Sequence, residues 1–190
     1  IDNSCTRVTL LFSLWSYVLN NRLITEKRFR IRRTDSMLQM FLYNWQVRED
    51  WFKWCQNVSS EELMKKHIGG MGSILHNLYH VIDCEQIWIN QMKGSEVMVR
   101  DLSTITNLTD VIDFSNEIKK LTTEFISPWD PQLDNKILNI TNRNGHTFSF
   151  TFGKILRHII THEIHHVGQL SVWSRELDIK PVSSDLLFRD

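Results

Sequence analysis

The chain has 190 residues, 42% hydrophobic and 23% charged, with 22 basic and 22 acidic side chains. This is the composition of one folded globular domain, without internal repeats or low-complexity tracts. A formal net charge of zero gives no sign of nucleic-acid or membrane affinity, and three cysteines (Cys5, Cys55, Cys84) without paired spacing argue against a disulfide scaffold and fit a reducing, cytoplasmic compartment.

Residues 1–36 read differently from the rest. Val8 to Leu19 is an apolar run, shorter than the roughly 20 residues that span a bilayer and without the small-residue flank of a signal peptide. The run Lys27-Arg28-Phe29-Arg30-Ile31-Arg32-Arg33 is basic with interleaved apolar residues, the pattern of a solvated tail or of a nucleic-acid or membrane-surface segment. Residues 1–36 are therefore expected to form an N-terminal extension outside the core, with the folded domain over 37–190.

Seven glycines and three prolines leave few loops and favour helices. The first helix is expected from Ser36 to Cys55, capped by Asp35 or Ser36, with Leu38, Phe41, Leu42, Trp45 and Phe52 on one apolar face. Ser59-Ser60-Glu61-Glu62 carries capping chemistry and opens a short helix that should end at Gly69-Gly70. A long helix follows from Gly72-Ser73 to Lys93, before Gly94. Its apolar stripe includes Ile74, Leu78, Ile82 and Ile89, while His76, His80 and Cys84 form a separate row. Residues 94–107 read as a loop. Thr109-Asp110 is expected to cap a helix from Val111 to Phe125, which Ser127-Pro128 ends. Ile137–Ile140 and Thr147–Thr151, around Asn142-Arg143-Asn144-Gly145, form a hairpin pattern. Thr151 then caps a last helix to Leu177, followed by Pro181. Four long amphipathic segments, one short helix and a β-hairpin before the last helix describe an all-α protein, a four-helix bundle.

Half of the eight histidines fall in the last helix, at positions 158, 162, 165 and 166. His158, His162 and His166 repeat every four residues, so they share one helix face. Two of them can ligate one ion at about 2.1 Å each; all three cannot, because the outer pair lies about 12 Å apart along the axis. The helical wheel favours His162 with His166, which sit beside the apolar stripe, over His158 and His165. Two carboxylates, Glu85 and Glu163, interrupt apolar stripes. Each needs a partner if buried: a salt bridge, a ligating imidazole to hold, or a role as proton acceptor at a metal.

His162-Glu163-Ile164-His165-His166 also matches the zinc-protease pattern H-E-x-x-H. The third ligand of those families is missing: Gln169 and Val172 stand at the metzincin Gly and His positions, and the last glutamate is Glu176.

The sequences Ser73-Ile74-Leu75-His76-Asn77-Leu78-Tyr79-His80-Val81-Ile82-Asp83-Cys84-Glu85 and Thr151 to His158, then His162 to Leu170, resemble the DinB family over nearly all of 37–190. The resemblance implies a four-helix bundle holding one divalent metal ion on three histidines, here His80, His162 and His166. The metal can be zinc, nickel, iron or manganese, since three imidazoles do not choose among them. The wheel alone does not select His80, which lies opposite the centre of its helix's stripe. The triad therefore sets a geometric condition: His80 must come within about 8 Å of the other two. Otherwise His76 or Cys84 is the next candidate.

Three neutral ligands leave an open coordination position, as in catalytic sites. The resemblance further implies a metal-dependent enzyme of the low-molecular-weight-thiol S-transferase or hydrolase kind, acting on a small-molecule substrate. Glu85 and Glu163 are its candidate catalytic or ligand-holding groups. A non-enzymatic metal-binding stress-response protein is the alternative. The resemblance, with seven Trp and ten Phe available for an interface, also implies a homodimer.

Overall fold

The computed structural model describes residues 37–189. The expectations for residues 1–36, and for the cap at Asp35 or Ser36, lie outside the described residues. The first helix, α1, is described over 37–55. Phe41, Trp45 and Phe52 face the core as expected, but Leu42 is 43% exposed. It lies about 100° round the axis from Phe41 and so leaves the buried face. Arg48, one turn beyond Trp45, takes a place on that face instead.

The short helix α2 (Ser60–Met64) is capped by Ser59, whose Oγ accepts from Glu62 N. It stops at Met64 rather than at the glycine pair. After Leu63 the next buried residue is His67, whose ring turns inward to stack on Trp173 at 4.8 Å, while its backbone N–H donates to Gly72 O. The inward turn takes the chain out of the helix.

Helix α3 (Ile74–Lys93) keeps its expected bounds. Ser73 Oγ accepts from His76 N at one end, and Gly94 adopts the left-handed conformation at the other, with φ 70°. The following loop contains one 3₁₀ turn, Leu102–Thr104. Helix α4 (Leu108–Ile126) starts three residues earlier than expected. Its cap is Asn107, whose side chain accepts from Asp110 N at 2.8 Å. Asp110 is thereby moved into the first turn, where the positive end of the helix favours a carboxylate.

A second 3₁₀ turn, Pro131–Asn135, leads into the hairpin of β1 (Ile137–Thr141) and β2 (Thr147–Thr151), paired from Ile137↔Thr151 to Thr141↔Thr147. Helix α5 (Phe152–Glu176) begins at once, with Thr151 Oγ1 accepting from Lys154 N. The C-terminal tail returns along α1: Trp54 Nε1 donates to Lys180 O at 3.0 Å, and Arg189 Nη1 to Asp50 Oδ2 at 3.0 Å.

Helices α1, α3, α4 and α5 form the bundle, and α3 packs on both α4 and α5. The core is split in two. One half contains Val47, Trp51, Ile74, Ile82, Ile118, Val167 and Trp173. The other contains Phe41, Trp45, Ile89, Ile126, Phe152 and Ile160. The break falls at Glu85 between Ile82 and Ile89, at Thr122 between Ile118 and Ile126, and at Glu163 between Ile160 and Val167. A buried polar layer crosses the bundle there. Among the described residues no helix is long and apolar enough to cross a membrane.

Candidate metal centre

The polar layer is built around Arg48, which is 1% exposed. Arg48 Nε and Nη2 donate to the two oxygens of Glu163 at 2.8 and 2.7 Å, and Nη2 also donates to Glu85 Oε2 at 2.7 Å. Further hydrogen bonds surround it. Thr122 Oγ1 and Trp45 Nε1 donate to Glu85 Oε1 at 2.6 and 3.3 Å, Asn44 Nδ2 donates to Glu163 Oε2 at 3.1 Å, and Arg48 Nη1 donates to Ser115 Oγ at 3.3 Å. Burial works against the charge on Arg48, but the carboxylates of Glu163 and Glu85 outweigh it and hold the guanidinium protonated. Burial pushes the Glu163 carboxyl up, against the pull of Arg48. Glu85 and Glu163 thus adopt the salt-bridge arrangement, one of the readings open for them, and all four helices of the bundle contribute to it.

Beside this layer, α3 and α5 bring three imidazoles together. His80, His162 and His166 each offer a ring nitrogen, and these nitrogens lie within 4.8 Å of one another. The geometric condition on His80 is met. Its ring centre is 5.1 Å from that of His162 and 4.9 Å from that of His166. His80 is half-buried although it lies off the stripe of α3, because α3 is covered on more than one side.

His166 is held in one orientation. Its Nδ1 faces Asn77 Oδ1 at 3.0 Å and Gln169 Oε1 at 2.7 Å. Asn77 Nδ2 donates to the His166 carbonyl at 3.1 Å, which fixes the amide with its oxygen toward the ring. Nδ1 therefore carries the hydrogen, and Nε2 presents a bare lone pair. That Nε2 lies 3.2 Å from His162 Nε2. Two nitrogens on a tetrahedral zinc with bonds of about 2.05 Å are separated by about 3.3 Å, so the pair fits one ion.

The protonation states agree. Burial lowers the pKa of His80, although Asp83 opposes the shift. Burial, then His166, His80, His158 and His165, push His162 down to about 4. Burial lowers His166 as well, partly offset by the hydrogen bond to Gln169. All three are neutral near pH 7, the form that ligates.

The other candidates lie apart from this cluster. His76 Nε2 meets Ile105 O at 3.2 Å, and the exposed His165 meets Gln169 Nε2 at 3.3 Å. His158 stacks at a tilt 5.4 Å from His162 and touches Trp88 rather than joining the nitrogens. Cys84 is half-buried, and burial raises its thiol to about 12, so it is a neutral, weakly polar group.

The sequence reading missed Arg48, Asn77 and Gln169. A signal for Arg48 was present: two carboxylates on apolar stripes require a buried cation, and Arg48 is spaced with Phe41, Trp45 and Phe52.

Residues 32–190 match the family model described as the DinB family. A protein of Bacillus subtilis (strain 168), named uncharacterized protein YizA, is 39% identical over 153 residues, covering 80% of this chain and 95% of that protein. The crystal structure of a DinB-like protein from Bacillus cereus ATCC 10987 has the same fold, with a TM-score of 0.58 at 18% identity over 78% of this chain and 95% of that one. The family match over most of the chain and the identity to the Bacillus subtilis protein lead to one conclusion: this chain belongs to the DinB family.

Proposed function

We propose that this protein binds one divalent metal ion through His80, His162 and His166. We further propose that it uses the metal as an enzyme of the thiol S-transferase or hydrolase kind on a small-molecule substrate. The observation that carries the reading is the convergence of three neutral imidazoles, two of them 3.2 Å apart, with the tautomer of one already fixed. Zinc, nickel, iron and manganese all suit such a donor set. When bound, the metal would lower the pKa of a ligated thiol or water toward neutrality.

The chain's own residues supply orientation. Asn77 and Gln169 hold His166, and Glu163, between the two α5 ligands, fixes the rotation of that helix through Arg48. Glu85 does the same for α3. In this reading both carboxylates are positioning residues rather than proton acceptors. The reading also includes a cytoplasmic location, supported by free cysteines at Cys55 and Cys84, and a homodimer, supported by the family resemblance.

A second reading, a metal-binding stress-response protein without catalysis, is favoured by one observation. Both candidate bases, Glu85 and Glu163, already spend their oxygens on Arg48 and its neighbours.

The test is turnover of 1-chloro-2,4-dinitrobenzene with a bacterial low-molecular-weight thiol, by protein stripped of metal and reloaded with each candidate ion. Metal-dependent conjugation that His162→Ala abolishes supports the enzyme. Metal uptake without conjugation or hydrolysis of the electrophile favours the second reading, and absence of metal uptake removes both.

A further inference from the structure

A small apolar pocket lies one helical turn from the histidine cluster, on the same α3–α5 groove. Its lining is Trp88, Phe150, Lys154, Ile155 and His158, and its volume is about 170 Å³. A dry cavity of about 150 Å³ holds one benzene ring in another protein, so this pocket is the size of a single aromatic group.

Its walls suit such a group. The Trp88 ring stands nearly perpendicular to Phe150 at 6.1 Å and to His158 at 5.8 Å, with interplanar angles of 86° and 87°. Three rings thus form two edge-to-face corners, open to a fourth ring in an edge or stacked geometry. Ile155 is buried at the base, 2% exposed.

The pocket is continuous with the metal centre through side chains in contact. His158 belongs to the pocket wall, and its ring lies 5.4 Å from His162. On the facing helix, His80, Cys84 and Trp88 follow at intervals of four, so α3 runs from a metal ligand to the pocket in two turns.

Charge distinguishes what enters. Aromatic boxes often take cations. Here Lys154 stands at the rim, its Nζ 5.9 Å from the Phe150 ring centre, and it forms no ion pair among the described residues. A cationic guest would be repelled, and an anionic substituent would find an unspent partner.

We propose that this pocket is the subsite for one end of the substrate, a small molecule carrying an aromatic ring with an acidic substituent that pairs with Lys154. The inference rests on the metal-site reading for its other end: the substrate's reacting group extends along the groove toward His162.

The test uses the full chain loaded with zinc, with phenylacetate, benzylamine and acetate as probes and ligand-observed NMR as readout. Phenylacetate should bind more tightly than benzylamine by at least about fivefold, and acetate should not compete with it. Lys154→Glu, at an exposed position, should reverse that order. His158→Trp, also exposed, should fill the pocket and remove phenylacetate binding while zinc content stays at that of the parent. Metal-free His162→Ala protein should still bind phenylacetate. If phenylacetate needs zinc, or if Lys154→Glu leaves the order unchanged, the subsite is wrong while the metal centre stands. If phenylacetate binds as expected and the parent holds no zinc, the metal reading falls and the pocket remains.

Discussion

Two polar clusters lie side by side across α3 and α5, and they differ in what they leave unspent. Around Arg48, four guanidinium hydrogen bonds reach Glu163, Glu85 and Ser115, and Thr122, Trp45 and Asn44 donate to the two carboxylates. In the histidine cluster, His166 Nε2 and His162 Nε2 face each other at 3.2 Å, both short of charge and next to His80. The first is a closed lock that holds the helices in register. The second gathers three ring nitrogens within 4.8 Å of one another. Burial of polar groups is common to both; the histidine cluster differs in that its three nitrogens are neutral, with no carboxylate or cation among them.

The largest effect should come from breaking the lock. Arg48→Met leaves Glu85 and Glu163 buried without a cation, a loss of about 3–5 kcal/mol. For a chain of this length that lowers Tm by about 6–20 °C. A melt within 2–3 °C of the parent would show that the layer is not a charged lock. By contrast, His162→Ala should leave the metal-free melt nearly unchanged.

Acid should separate the clusters next. Burial, then the neighbouring histidines, push His162 down to about 4, and burial also lowers His80 and His166 below their ordinary value. An unfolded histidine takes up its proton near pH 6.5. Between these values the unfolded chain binds more protons, so metal-free protein loses stability as pH falls from about 6.5 toward 4 and is most stable above that window. Urea titrations at pH 7 and 5 should show the loss, and His162→Gln should reduce it, leaving the part due to His80 and His166. An unchanged slope in that variant would contradict the assignment.

A smaller effect is expected at Gly70, which touches the support of the open cluster. Its φ is +51°, and a Cβ there would meet Gln169 Oε1 at 2.6 Å and Asn77 Oδ1 at 2.8 Å. Gly70→Ala should therefore cost about 1 kcal/mol in stability and also weaken zinc binding, measured by competition with a chelating dye. Loss of stability with zinc affinity intact would show that Asn77 and Gln169 do not set the His166 ring. The smallest effect is that of His158→Ala and His165→Ala, which should leave metal content unchanged by elemental analysis.

Much of this is legible in the sequence. The wheel of the last helix separated His162 and His166 from His158 and His165, because α5 has one clear buried face. His80 was not legible that way. Helix α3 buries Asn77, Glu85, Gln86 and Asn90 beside its apolar residues, so its stripe centre does not mark the only covered side. Family spacing, not periodicity, pointed to it. The bounds of α2 and α4 slipped for local reasons: His67 turned inward on Trp173, and Asn107 capped in place of Thr109-Asp110. The partner of Glu85 and Glu163 had to come from α1, and contacts separated by 37 and 115 residues leave no trace in local pattern.

The most direct test of the open cluster is metal stoichiometry. Purified protein, stripped and dialysed against trace zinc, should hold one ion per chain by mass spectrometry. His80→Ala, His162→Ala and His166→Ala should each hold almost none, while His158→Ala and His165→Ala match the parent. Retention of a full equivalent of zinc in any of the first three, or its absence from the parent, would contradict the three-histidine centre.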